Sequence, residues 1–345
     1  MNQQLKHRGR KFLTCKIVMM AVAMAAIMAT ACAPSFHATK VPGTPADATF
    51  VEVDGVNLHY RRLNLPATDN ATRPTLVLIH GYGASLESWS AVQDALAPDF
   101  DVIAFDLKGF GWSTRPDGDY SPGAEATLVW RALAKLGITR TILVGHSWGS
   151  SVVLAMALVQ PARVERLALV SAYVYDEQVP SFFRWAQVGG IGEMLFAMFY
   201  DQRIEERVPL AYYDARFATQ KRVDAVIAET ARPGAIAAAL AAARGQDFRK
   251  LSPRYGEFKK PVLVLWGQED QVTPLRYGQR LVRQLDDATL VVLPLCGHMP
   301  MIEARQNTIA ALRTFLQPLA RPVTAATAAT AATSTTDATT PEVVR

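Results

Sequence analysis

Residues 141–159 constrain this chain more than any other stretch. Thr141-Ile142-Leu143-Val144 reads as a buried strand, and Gly145-His146-Ser147-Trp148-Gly149 carries the pattern G-x-S-x-G. The small apolar run from Val152 to Val159 then reads as a helix. A serine on a sharp turn between strand and helix has its hydroxyl lifted clear of the sheet. Glycines two residues either side are needed because side chains there would collide as strand and helix close together. The pattern alone is weak, since about one chain of this length in ten would carry it by chance. Its weight comes from what stands around it.

The chain has 345 residues, half of them apolar, enough for one domain with an insertion and a large core. Its formal charge of +5 is local. Lys6, Arg8, Arg10, Lys11 and Lys16 supply it, and without them 31 basic residues face 31 acidic ones. A nucleic-acid partner is therefore not expected.

Those five cations precede an apolar run from Ile17 to Ala31, so residues 1–31 read as an export signal. At about 1.5 Å per residue the run spans about 22 Å, short of a hydrocarbon core of about 30 Å. Its end, Ala29-Thr30-Ala31-Cys32, is open to two readings. It is similar to the lipobox of bacterial lipoproteins, in which Cys32 would be lipidated and anchor the chain to a membrane. It is also an A-x-A site for ordinary cleavage and a soluble, secreted product. The lipoprotein reading gives Cys32 a purpose, although Ala29 stands where leucine is usual. Cys15 leaves with the signal and Cys32 would carry lipid, which leaves Cys296 alone, unable to form an internal disulfide, and it reads as a small buried apolar residue.

Residues 32–48 read as a tether. Phe50 to Val53 and Val56 to Tyr60 are a hairpin about Asp54-Gly55. Strands are expected at 76–79, 102–105, 141–144, 166–170, 261–266 and 290–293. Helices are expected after Ser85, from Ser121 to Leu136 with a stop at Gly137, and from Pro300 to Leu316. Strands alternating with helices imply an α/β architecture with a doubly wound, mostly parallel sheet. The core built on this sheet is expected at 49–174 and 258–318. From 175 to 257 the alternation stops, and helical, aromatic sequence reads as an inserted cap. Within it Phe182, Phe183, Trp185, Met194, Phe196, Met198 and Phe199 are candidates to roof a pocket; plain core packing is the rival reading. The Ala/Thr repeats of 319–345 are expected to be disordered.

Ser147, Asp270 and His298 fall at the carboxyl ends of expected strands. A serine hydroxyl needs a base to take its proton, and the base needs a carboxylate to fix its tautomer. Only His298 lies downstream of Asp270, so the order Ser…Asp…His selects it. His146 reads as a packing residue, His80 as a brace for its loop, and Asp106 as a carboxylate that accepts amides in a glycine-rich turn. No two histidines have metal-ligand spacing, so neither metal nor cofactor is expected.

The chain closely resembles the α/β-hydrolase superfamily from about residue 50 to 318. The matching stretches are His80-Gly81-Tyr82-Gly83, Asp106 to Ser113, Gly145 to Gly149, Gly267 to Pro274 and Gly297-His298-Met299-Pro300. The resemblance implies a Ser147–His298–Asp270 triad and an oxyanion hole from the backbone amides of Tyr82 and Trp148. It implies Asp176 as the alternative acid. It also makes 175–257 the cap domain, where substrate choice is made. Epoxide hydrolases and haloalkane dehalogenases of this fold use aspartate at the elbow, which argues against both here. Carbon–carbon hydrolases, cofactor-free haloperoxidases, prolyl aminopeptidases and non-catalytic ligand receptors remain beside the leading reading. That reading is a serine hydrolase cleaving small-molecule esters of small or medium apolar acyl groups. For a peptidase, Glu205 and Glu206 are the nearest carboxylates to meet a substrate ammonium, but they read better as a solvated helix face.

Overall fold

The computed structural model describes residues 33–63, 74–319 and 342–344. The apolar run 17–31, Cys32 and residues 320–341 lie outside the described residues.

Among the described residues nine strands form one sheet in the order β1-β2-β4-β3-β5-β6-β7-β8-β9. They are β1 (Thr49–Val53), β2 (Val56–Leu63), β3 (Thr75–Ile79), β4 (Val102–Phe105), β5 (Thr141–His146), β6 (Val164–Val170), β7 (Val262–Gly267), β8 (Ala288–Leu293) and β9 (Glu342–Val344). From β4 to β8 all neighbours are parallel. The β1–β2 hairpin turns on Asp54 and Gly55 at φ 51° and 80°, the positive angles of the tight turn that the Asp-Gly pair implies. β9 corrects the expectation of a wholly disordered tail, because Glu342–Val344 adds antiparallel to β8. A β-branched pair at a free sheet edge finds unpaired donors and acceptors there.

Continuous apolar runs became central strands because both sheet faces are covered. In β3 all five residues are buried; Val77 and Ile79 enter one core cluster, Leu76 and Leu78 the other. Burial of each such side chain contributes about 1.5–3 kcal/mol. One face is covered by α2 (Pro122–Lys135), α3 (Trp148–Val159) and α9 (Arg276–Gln284). The other is covered by α1 (Ser90–Leu96) and α11 (Arg305–Leu316). Ser121 caps α2 by accepting the Ala124 amide. Ser85 makes no such cap; the Leu86 amide donates instead to Asp106 Oδ1 at 2.7 Å. An ionised carboxylate is the stronger acceptor and had to be brought from another strand. The last expected helix is broken at Ala304 into α10 (Pro300–Glu303) and α11.

The insertion contains α4 (Ser181–Ala186), α5 (Ile191–Phe199), α6 (Ile204–Arg207), α7 (Gln220–Thr230) and α8 (Ala235–Arg244), with short 3-10 turns between. α8 joins it to the body: Ala238 and Ala242 enter the main core, Ala239 and Ala243 pack under Phe196 and Tyr200. Beyond α8, Phe248, Tyr255 and Phe258 already belong to the main core.

Candidate active site

The elbow places Ser147 at φ 50°, ψ −123°, a backbone conformation that a non-glycine residue holds only when its surroundings enforce it. They do so here. A Cβ on Gly145 would sit 2.6 Å from the Gly149 carbonyl oxygen and from Val153, and one on Gly149 would overlap the carbonyls of His80 and Ile79. The Ser147 amide donates to the Val170 carbonyl, and its own carbonyl accepts the Tyr173 amide. The serine is therefore tied to β6 as well as to its own strand.

Ser147 Oγ lies 2.9 Å from His298 Nε2, and His298 Nδ1 lies 2.9 Å from Asp270 Oδ2. The three expected residues, 151 and 28 positions apart, thus form one chain of hydrogen bonds at the carboxyl ends of β5, β7 and β8. Burial would raise the Asp270 carboxyl, but His298, the Thr273 amide and the Thr273 hydroxyl outweigh it and hold it below the usual carboxylate range. The serine is 8 % and the histidine 6 % exposed, so the charge that develops between them is poorly screened by solvent. In this arrangement the histidine can take the serine proton while the carboxylate stabilises the imidazolium.

The loop after β3 closes over the serine, and a Cβ on Gly81 would stand 2.9 Å from Ser147 Cβ. His80 braces that loop: its Nδ1 donates to the Gly81 carbonyl at 2.7 Å and its Nε2 accepts the Leu107 amide at 3.0 Å. Burial holds this ring below the usual histidine pKa, which fits a neutral tautomer with one donor and one acceptor. The Trp148 amide is at the start of α3, where helix amides have no intrahelical acceptor. The Tyr82 amide lies in the facing loop, with the Tyr82 and Trp148 rings edge to face at 6.4 Å. The Tyr82 ring also meets Phe110, Phe183 and Tyr200, which makes the wall beside the serine aromatic.

The other side chains singled out in the sequence have structural roles or lie at the surface. Asp176 accepts the Phe248 amide at 2.9 Å, so it anchors the chain leaving α8, while His298 engages Asp270. Asp106 accepts the amides of Leu86 and Trp112 and pairs with His59 Nδ1 at 2.7 Å; a side chain on Gly111 would fall inside its carboxylate. His146 is more than packing, because its Nε2 donates to the His298 carbonyl at 2.8 Å. Of the residues set to roof the pocket, Phe182, Phe183 and Phe196 turn inward. Trp185, Met194, Met198 and Phe199 are exposed, because α5 is apolar on two faces and only one meets the body. Glu205 and Glu206 are exposed, with Glu206 paired to Arg203.

Two supports were missed altogether. Thr273 Oγ1 is 2.8 Å from Asp270 Oδ2 and 3.1 Å from the Ser171 carbonyl, and the spacing Asp270-x-x-Thr273 is a capping pattern that could have shown it. Glu303 accepts the amides of Gly297, Tyr213 and Asp214, tying the His298 loop to the cap; nothing local signals it. Among the described residues no cluster of three or more His, Cys, Asp or Glu could hold a metal ion.

Residues 74–305 match the alpha/beta hydrolase fold family. A relative from Paraburkholderia phymatum, named 2-hydroxy-6-oxononadienedioate/2-hydroxy-6-oxononatrienedioate hydrolase, is 33% identical over 261 residues, 71% of this chain and 88% of its own. An epoxide hydrolase superposes with a TM-score of 0.68 at 22% identity, covering 79% of this chain and 99% of its own. A meta-cleavage product hydrolase from Pseudomonas fluorescens does so with a TM-score of 0.67 at 23% identity, over 78% and 97%. At such identities the structures speak for the fold alone. With the family match covering most of the chain and the sheet, elbow and helical insertion all in place, the chain belongs to the alpha/beta hydrolase family.

Proposed function

We propose that the protein is a serine hydrolase that cleaves a carboxylic ester of a small or medium apolar acyl group. The observation that carries this reading is the relay Ser147 Oγ–His298 Nε2 and His298 Nδ1–Asp270 Oδ2, each 2.9 Å, beside an aromatic wall. Ser147 Oγ attacks the acyl carbon and passes its proton to His298 Nε2. The developing oxyanion is met by the amides of Tyr82 and Trp148. His298 then gives the proton to the departing alkoxide, leaving the acyl group on Ser147. Water, deprotonated by the same histidine, hydrolyses that acyl-enzyme.

A second reading, carbon–carbon bond hydrolysis, is supported by the 33%-identical relative, whose name specifies hydrolysis of a 2-hydroxy-6-oxo dicarboxylate, a substrate with no ester bond. One assay separates the two. Esters of graded acyl length and 2-hydroxy-6-oxononadienedioate are offered to the same preparation. Ester turnover rising with chain length, about 0.8 kcal/mol per buried CH₂ until the pocket fills, supports the first reading. Faster turnover of the dienedioate would replace it with the second. No turnover of either, with no fluorophosphonate labelling of Ser147, would favour a ligand receptor.

We further propose that the chain is exported and anchored by lipid at Cys32. The support is the basic start, the apolar run 17–31 and the small residues before Cys32. Intact mass of membrane-extracted protein should show a diacylglyceryl-modified Cys32 at the N-terminus. An unmodified N-terminus on a soluble product would defeat the anchor.

A further inference from the structure

Nine of the twelve large apolar side chains exposed among the described residues lie between Trp185 and Ile227, in the cap. Scattered exposed apolar residues need no explanation, but a concentration on one subdomain does. The densest part is α5 with the turn before it. Ile191, Met194, Leu195 and Met198 follow one another at spacings of three, one and three, a single stripe along the helix. Phe196 and Tyr200, on the opposite stripe, are buried against α8. Trp185 and Val188, on α4 and the connecting turn, are exposed as well.

The only charge on α5 is withdrawn from this face. Glu193 turns to Arg244, whose two terminal nitrogens stand 2.8 and 2.9 Å from its oxygens. The outward stripe is thus uncharged, and removing it from water strands no ion. Tryptophan, methionine, isoleucine and phenylalanine on an outer helical face match a surface that sits at the headgroup–acyl boundary of a bilayer. No single helix among the described residues is long and apolar enough to cross one.

The path of the chain favours a bilayer over a second copy. His37 exchanges main-chain hydrogen bonds of 2.9 Å with Arg115, and its amide nitrogen would lie 2.8 Å from a Cβ on Gly234, at the start of α8. The far end of α8 carries Arg244, which holds Glu193 and the Ala186 carbonyl. The entry point of the chain and the apolar stripe are therefore separated by the length of α8, about 15 Å, and the thickness of α5, about 10 Å. Cys32 is five residues before His37, a reach of at most about 17 Å. A lipid on Cys32 would hold the cap, not the opposite side of the sheet, against the membrane.

We propose that the outer face of α4 and α5 docks peripherally on the lipid bilayer to which Cys32 is anchored. The proposal rests on the anchor reading for its geometry, but the test reads the two separately. Full-length protein is mixed with phosphatidylethanolamine–phosphatidylglycerol vesicles whose acyl chains are brominated, and tryptophan emission is compared with that in unbrominated vesicles. The difference between wild type and Trp185→Phe isolates Trp185, the one tryptophan that is largely exposed. Its emission should fall about twofold or more, and Met194→Glu/Met198→Glu should abolish the quenching while leaving hydrolysis of a soluble short-chain ester within about twofold of wild type. Flotation of the double variant and intact mass report on the anchor independently. Should the mature chain prove unlipidated, the same quenching is measured at saturating lipid, where it still supports docking. Unquenched Trp185 in either preparation overturns the proposal. Unquenched Trp185 together with a dimer in sedimentation assigns the face to a second copy instead.

Discussion

The ring of His146 donates from Nε2 to the main-chain carbonyl of His298, 2.8 Å away. The residue before the nucleophile thus fixes the backbone of the base, and the two rings lie 4.8 Å apart. Burial, then the neighbouring His298, pushes the His146 pKa down to about 3, so the ring is neutral wherever the enzyme works. His146→Gln keeps an amide donor and should retain activity within about tenfold. His146→Leu strands the carbonyl and should cost about 1–3 kcal/mol of stability with a larger fall in kcat than in KM. In the unfolded chain the ring titrates near pH 6.5, so the folded value is depressed. Its contribution to stability is complete above about pH 6.5 and is lost as pH falls toward 3. Urea midpoints for His146→Gln should therefore fall less steeply on acidification than those of wild type; equal slopes would assign the acid lability to another group.

Removing the relay tests the proposed roles directly. Ser147→Ala and His298→Ala should lower kcat by about 10⁴–10⁶, and Asp270→Asn by somewhat less. Asp176→Asn should leave kcat near wild type, because that carboxylate holds the Phe248 amide. A large kcat loss in Asp176→Asn with none in Asp270→Asn would reverse the assignment of the acid.

Gly149→Ala sets a side chain against two main-chain oxygens that belong to the strand and loop beside the elbow. Neither can yield without moving the sheet, so a loss of about 3 kcal/mol or more is expected. Gly123→Ala is its control. Gly123 is in the first turn of α2 with nothing within 4 Å of a Cβ, and alanine there should add about 0.5–1 kcal/mol. Urea unfolding of the two variants should shift in opposite directions.

Glu125 is fully buried, its Oε1 has no hydrogen-bond partner, and Lys108 Nζ stays 3.7 Å away. Burial raises its pKa to about 7, against the attraction of Lys108. The folded state thus favours the protonated acid. Its cost to stability is absent below about pH 4.5, grows as pH rises toward 7, and is constant above that. Glu125→Gln should be more stable than wild type at pH 8 and equal to it near pH 4, which thermal melts at the two pH values can check. A variant less stable at pH 8 would show that the ion pair with Lys108 outweighs burial.

The sequence by itself determined whatever depends on residues a few positions apart. Asp54-Gly55 dictated its turn, and the glycines at 145 and 149 dictated the elbow. Runs such as Leu76 to Ile79 could only be strands covered on both faces. Interactions of this kind are written in spacing, because the chain itself brings the partners together. Asp270 and His298, 28 positions apart, were marked instead by the resemblance of Gly267 to Pro274 and Gly297 to Pro300 to the α/β-hydrolase superfamily.

Only the tertiary structure decided which distant surfaces meet. Asp106 rather than Ser85 caps the turn at Leu86, Asp176 serves Phe248, His146 reaches His298 and Glu303 holds the loop that carries it. The cap was the least legible part. Its second helix, α5, has apolar stripes on opposite sides, so no periodicity could say whether Phe196 or Met198 would face the body. Packing against α8 settled it: the alanines at 239 and 243 leave room for Phe196 and Tyr200, and Met194 and Met198 were left outside.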